Sequence, residues 1–304
     1  MNHVLKLLFS SVRLDEQHFL VLPIIGVGGV GKTVFAKSVY HHEEVTKNFD
    51  QRMWVHLPQD LDEAKVTVSM IESVSSSCHN SSNTENLNAL QEELSRLIQG
   101  NRFLLVLDDV WYDEKCTELA NKMRWRRLCA PLSHGSQGSM ILITTRTELV
   151  AKTFCSSTAT TKPPVLLKGL EEDACFALFN KYAFGVDAYQ QKRPDDELLL
   201  EIGKEIVADK IVAELGGLPL AAKVVGGMLR ERLNAETWNY ILRSDSTFDD
   251  VVKALTVSYQ HLPRHLQRCV AYHNQGRLKG KASEAIALGP QILRASYFFL
   301  ILLS

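Results

Sequence analysis

The stretch Leu20-Val-Leu-Pro-Ile-Ile-Gly-Val-Gly-Gly-Val-Gly-Lys-Thr33 constrains this chain more than any other part of it. An apolar run delivers Gly26, Gly28, Gly29 and Gly31, and Lys32-Thr33 then opens a stretch of helical spacing. G-x-x-x-x-G-K-[ST] between a strand and a helix is the context in which a phosphate-binding loop forms. Glycines let successive N–H groups turn inward around phosphate oxygens without a Cβ in the way. The following helix adds positive partial charge at its N-terminus. The backbone of Gly26, Val27, Gly28, Gly29, Val30 and Gly31 is therefore expected to cradle phosphates. Lys32 is expected to bridge the β- and γ-phosphates, and the Thr33 hydroxyl to ligate Mg²⁺.

A strand that feeds such a loop needs a parallel sheet around it. Leu20 to Ile25, Met53 to Leu57, Phe103 to Leu107 and Met140 to Thr144 are short, almost wholly apolar runs. Lys32 to Tyr40, Ala64 to Val74 and Leu87 to Ile98 repeat at helical spacing among them. Strands alternating with helices point to right-handed crossovers and a parallel sheet covered on both faces. Ser75 to Asn88, rich in Ser and Asn, reads as a solvated loop, and Thr158 to Pro164 as a linker in which Pro163-Pro164 excludes a helix. Beyond it strands nearly vanish. Glu171 to Ala183, Asp196 to Leu215, Ala221 to Arg232, Ala235 to Leu242 and Asp249 to Gln260 carry helical spacing. Ile206-Val-Ala-Asp and Ile211-Val-Ala-Glu form a tandem near-repeat inside this half. From His273 onward periodicity weakens.

Three further segments carry chemistry. Arg102-Phe-Leu-Leu-Val-Leu-Asp-Asp-Val-Trp111 sets two carboxylates at the carboxyl end of a strand, where open parallel sheets bind ligands. In this Walker B layout Asp108 is expected to hold Mg²⁺, and Asp109 to orient or deprotonate an attacking water, the catalytic role. Gly138 to Arg146 is a second buried run ending in Thr144, Thr145 and Arg146. An arginine at that edge senses a terminal phosphate through bidentate hydrogen bonds. Gly216-Gly-Leu-Pro-Leu220 ends one helix and starts the next at Pro219. A purine nucleotide with Mg²⁺ is the expected ligand.

With 34 basic and 35 acidic residues and a net charge of −1, no field of one sign draws the chain to nucleic acid. The six cysteines show no paired spacing and read as reduced thiols in a reducing compartment. The N-terminal apolar patch is broken by Lys6 and Arg13, so it lacks the core of a signal peptide. The final Tyr-Phe-Phe-Leu-Ile-Leu-Leu-Ser304 is far shorter than the ~20 apolar residues of a membrane span. A cytoplasmic chain is expected. Met123-Arg-Trp-Arg-Arg127 reads as a solvated helix face.

Taken in order, these segments resemble the NB-ARC domain of plant nucleotide-binding, leucine-rich-repeat disease-resistance proteins. Phe49-Asp-Gln-Arg-Met-Trp-Val55 is similar to that family's FDxRxWV strand, and Leu170 to Phe184 to its helix after the linker. Leu255 to Tyr272 is similar to the start of its later helical block, and Trp111 resembles the coiled-coil subclass. The resemblance implies a P-loop NTPase parallel sheet, a helical subdomain and a partial winged-helix-like segment. The implied division is an N-terminal remnant (1–19), a nucleotide-binding domain (20–157), a helical ARC subdomain (158–234), part of a second (235–272) and a tail (273–304). It implies an ADP/ATP switch in an immune receptor, with Pro219 packing on the adenine. Self-association or intact immune-receptor chains are the implied protein partners.

The departures are that no N-terminal signalling domain, MHD-like triplet or leucine-rich repeat occurs in the sequence, so the chain reads as truncated at both ends. Two other readings stay open: a P-loop ATPase or kinase with true turnover, and an inert truncated product.

Overall fold

The computed structural model describes residues 2–9, 19–58, 61–75, 86–113, 115–158, 161–185, 196–213, 215–230 and 233–243. The chain forms two compact units, Met1–Gly26 with Lys32–Leu166, and Val27–Gly31 with Leu167–Ser304.

The first unit contains α1 (Asn2–Phe9), β1 (Phe19–Ile25), α2 (Lys32–Tyr40), α3 (Glu43–Asn48), β2 (Gln51–His56), α4 (Glu63–Val74) and α5 (Leu87–Ile98). It continues through β3 (Phe103–Val110), α6 (Glu118–Cys129), a 3-10 turn (Ala130–His134), β4 (Ser139–Thr145), α7 (Glu148–Thr158) and β5 (Val165–Leu166). The strands form one parallel sheet in the order β2-β3-β4-β1-β5. All four strands expected from the apolar runs are present: β1, β3 and β4 are buried on both faces, while the edge strand β2 buries Met53 and Val55 and leaves His56 exposed. Phe103 to Leu107 are wholly buried. Their odd-numbered side chains join Met53, Val55, Ile141 and Ile143 against α4 and α5 in one hydrophobic core. On the opposite pleat Leu104, Val106, Met140 and Leu142 are equally buried. At roughly 1.5–3 kcal/mol per buried aliphatic side chain, this burial outweighs the weak preferences of individual residues.

Helix starts follow side-chain caps. Asp62 accepts from the N–H groups of Ala64 and Lys65, Asn86 from Asn88, and Thr117 from Ala120. The described part of the 158–164 linker, from Thr161 on, runs along the edge of the sheet. Thr161 bridges Val21, Lys162 N–H donates to Val21 O, and β5 then pairs with β1. Two prolines forbid a helix there but suit an extended edge. Met123 to Arg127 lies on α6, yet only part of it is solvated. Trp125 is buried with its ring 5.1 Å from Phe154, and Arg124 reaches Asp113 at 2.9 Å. The helical turn carries Arg126 and Arg127 outward and Trp125 inward.

The second unit is helical: α8 (Glu172–Ala183), α9 (Asp196–Glu205), a π-helix (Ile206–Val212), α10 (Pro219–Arg230) and α11 (Ala235–Arg243). Phe179, Ile202, Ile206, Val225 and Trp238 share its core, and Trp238 meets Phe179 edge-on at 5.9 Å. The single helix expected over 196–215 thus changes winding at the tandem near-repeat. In an α-helix a step of five residues rotates a side chain about 140° off its face. Winding the stretch with bonds five residues apart, as in Ala213 N–H to Ala208 O, keeps the leading isoleucine of each copy inward. Ile206, Val207 and Ile211 are all fully buried.

The expected helix Asp249–Gln260, the segment Leu255–Tyr272, the winged-helix-like piece beyond α11, the tail 273–304 and residues 76–85 of the Ser/Asn loop lie outside the described residues. No helix among the described residues is long and apolar enough to cross a membrane. The described cysteines, Cys116, Cys129, Cys155 and Cys175, are free thiols.

Candidate nucleotide-binding site

In the first unit the carboxyl ends of β1, β3 and β4 bring together most residues singled out by sequence. Lys32 opens α2 and its Nζ donates to Gly26 O at 2.7 Å, returning the ammonium to the mouth of the loop that precedes it. Thr33 Oγ1 donates to Asp108 Oδ1 at 3.0 Å. Asp108 is 2% exposed, and the same oxygen accepts from Thr144 Oγ1 at 2.6 Å. Its Oδ2 lies 3.6 Å from Nδ1 of His56, the residue paired with it on β2. A buried carboxylate is costly unless its lone pairs are occupied; two hydroxyls from opposite sides occupy one oxygen here.

The acidic pair sits on a β-bulge. Leu107 pairs with Ile143 and Val110 with Thr145, so Asp108 and Asp109 together oppose the single residue Thr144. Asp109 has φ 63°, the one described non-glycine residue in the left-handed region. Thr144 holds both members: its hydroxyl donates to Asp108 Oδ1 and accepts from the Asp109 N–H at 2.8 Å. Bulges beside functional sites re-aim side chains, and a left-handed aspartate stores on the order of 1 kcal/mol. Thr144→Val is expected to destabilise the chain by about 1–3 kcal/mol, since it orphans the Asp109 N–H, while Thr144→Ser retains stability. Urea denaturation of the two variants checks this; equal melting of Val and wild type would remove the role.

Burial dominates the electrostatics of the cations. It lowers the Lys32 pKa from 10.5 to about 8, helped by Arg146 and opposed by Asp109 and Asp108. Burial also lowers Arg146, with Asp109 pulling the other way. Arg146 Nε stands 3.8 Å from Asp109 Oδ1, and its guanidinium lies 4.5 Å from the centre of the Trp111 ring. Cations held in poor solvent surroundings gain most from an arriving polyanion.

Residues 27–31 of the loop belong to the second unit. Val27 and Val30 bury their side chains in its hydrophobic core, so only their backbone is left for a ligand. Leu220 N–H donates to Gly29 O at 3.3 Å, which brings the start of α10, Pro219, beside the loop. Gly29 has φ 80°, and a Cβ there would stand 2.9 Å from Leu220 Cβ. Glycine is thus required both by conformation and by approach.

Sequence reasoning placed no role on His56 or Trp111, and named Thr144 only as a polar strand end. The signal for Thr144 was present: strand ends at this edge of a parallel sheet face the ligand crevice. The residues fit a nucleotide phosphate chain with a divalent cation. A hydroxyl and a carboxylate, both hard oxygen donors, meet at Thr33 and Asp108, with a buried ammonium alongside.

Residues 1–188 match the NB-ARC domain. The disease resistance protein RGA4 of Solanum bulbocastanum is 36% identical over 276 residues, covering 89% of this chain and 25% of that protein. RGA2 of the same plant is 34% identical over 276 residues, 89% of this chain and 26% of that one. The RPP13-like protein 4 of Arabidopsis thaliana is 32% identical over 267 residues, 85% and 29% respectively. The chain therefore spans about a quarter of the length of the curated relatives it matches. Among solved structures, a Walker-type ATPase of Pyrococcus abyssi superposes with a TM-score of 0.52 at 14% identity, over 94% of this chain and 80% of that one. That similarity concerns the fold.

Proposed function

Because this chain belongs to the NB-ARC domain family, we propose that it is the ADP/ATP-binding switch module of a plant innate-immune receptor. The observation that carries this reading is the convergence of the Thr33 and Thr144 hydroxyls on buried Asp108, next to the buried Lys32 ammonium. The backbone of Gly26 to Gly31 would cradle the phosphates, with Lys32 against the β- and γ-phosphates. Thr33 and Asp108 would hold Mg²⁺, and Pro219 would pack on the adenine. When bound, Mg²⁺ neutralises charge on the phosphate oxygens.

Asp109 is the candidate for orienting water. Its neighbour Arg146 at 3.8 Å competes for the same carboxylate, which favours slow ATP turnover over steady catalysis. Arg146 would read the terminal phosphate, so that ADP and ATP differ by the contacts they make there. A few kcal/mol of differential contact is enough to move a two-state equilibrium. The module would act in the cytoplasm, through self-association or through intact receptor chains.

The test is the nucleotide content of the purified chain. Stoichiometric ADP retained through gel filtration is expected. An empty, aggregating chain would overturn the reading, and several turnovers per minute without a partner would replace it with an ATPase. In Arg146→Ala, ATP binding is expected to weaken by roughly tenfold or more, with ADP binding retained. Equal loss of both nucleotides would remove the sensor role.

A further inference from the structure

We propose that Trp111 is a positioning residue for Arg146, an aromatic shelf that sets how strongly the site distinguishes a triphosphate from a diphosphate. This rests on the reading of Arg146 as the terminal-phosphate sensor. The guanidinium lies over the Trp111 ring at 4.5 Å, and its Nε stands 3.8 Å from Asp109 Oδ1. A cation over an aromatic face is attracted by the ring's quadrupole. The shelf therefore narrows the positions open to the guanidinium, and a preset fork is what bidentate phosphate recognition needs.

Trp111 is itself held. It follows Val110, the residue at which β3 resumes pairing with Thr145 after the Asp108–Asp109 bulge, so the bulge helps set where the ring goes. It also lines a small pocket with Pro58, Leu61 and Trp125, contributed by the segment after β2 and by α6. Only 17% of the Arg146 side chain is exposed, and the Trp111 ring supplies part of that cover. Losing the shelf returns rotamer freedom to a long side chain, and that cost falls on the ligand that uses the arginine.

The test measures affinities of the full chain for Mg·ADP and for a non-hydrolysable Mg·ATP analogue by equilibrium dialysis. Trp111→Leu, which keeps apolar bulk and removes the π face, is expected to weaken the ATP analogue about five- to tenfold while ADP changes less than twofold. Trp111→Phe is expected to recover most of the difference. Arg146→Ala is measured in parallel. An ATP-selective loss in Arg146→Ala with none in Trp111→Leu would overturn the shelf and leave the sensor standing. No selective loss in Arg146→Ala would remove the sensor, and the shelf with it. Equal weakening of both nucleotides in Trp111→Leu, or failure of Phe to recover the ATP affinity, would make Trp111 a packing residue only.

Discussion

Lys32→Met is expected to purify without nucleotide and yet to unfold at a higher temperature than the wild-type chain stripped of its ligand. Both effects come from the same burial. Lys32 is 8% exposed, and its pKa falls from 10.5 to about 8 chiefly because the ammonium has lost water. At about 1.4 kcal/mol per pKa unit, that is roughly 3 kcal/mol against folding at neutral pH. The hydrogen bond to Gly26 O, which methionine cannot make, reduces the net gain to about 1–3 kcal/mol. Among the charged groups that act on Lys32, Arg146 adds to the penalty, and Asp109 and Asp108 oppose it.

The folded-state pKa lies below the unfolded one, so folding disfavours the proton. The penalty is fully present below pH about 8 and fades as pH rises toward 10.5. Thermal melts of both unliganded chains should therefore differ at pH 7 and converge by pH 10. Added Mg·ADP should raise the wild-type midpoint and leave the variant unmoved, since a ligand stabilises only the state it binds. Retained ADP in Lys32→Met would be fatal to the phosphate assignment. A wild type no less stable than the variant at pH 7 would discredit the burial argument.

Gly217→Ala is expected to cost about 3 kcal/mol or more. Gly217 has φ 70°, where an L side chain is strained by about 1–2 kcal/mol. Its new Cβ would also overlap the carbonyl oxygen of Leu170. That carbonyl is backbone and cannot swing aside, because Leu170 N–H is already bonded to Gly217 O at 2.8 Å. Gly227, on α10, is the internal comparison: a Cβ there meets nothing within 4 Å. Gly227→Ala is expected to be neutral or to stabilise by up to about 1 kcal/mol, through helix propensity. Denaturant titrations of the two variants should separate widely. Indistinguishable midpoints would show that the Gly216-Gly217 turn yields more easily than its geometry implies.

The parts of the fold that were legible in the sequence are those where one physical requirement dominates. Continuous apolar runs of five or six residues such as Phe103 to Leu107 suit a strand buried on both faces, and β1, β3 and β4 follow; β2 is the edge strand, with His56 exposed. Lys32-Thr33 after a glycine loop fixes the start of α2 to the residue. What stayed hidden depended on partners far along the chain. β5 is two residues long and exists because Pro163-Pro164 keeps the backbone extended beside β1. The left-handed conformation of Asp109 follows from a register shift between β3 and β4, which no local preference of aspartate announces. Likewise, Thr144 was visible as a polar residue at a strand end, but its hold on both aspartates needs the two-against-one pairing. The phosphate loop, Asp108, Asp109 and Arg146 are legible from their motifs, and Pro219 only from the family resemblance; the shelf beneath Arg146 is not, because Trp111 looks like one more apolar residue closing a strand.

The π-helix at Ile206–Val212 has a consequence for how this chain tolerates changes in length. Lengthening a helix by five residues normally swings everything downstream by more than a third of a turn. Here the near-repeat is wound as one wider coil, so Ile206 and Ile211 both stay in the core instead of standing about 140° apart. Hydrogen-bond winding thus sets which repeat lengths a helix can carry: a repeat of five keeps its apolar side chains in one core where the coil widens to match it.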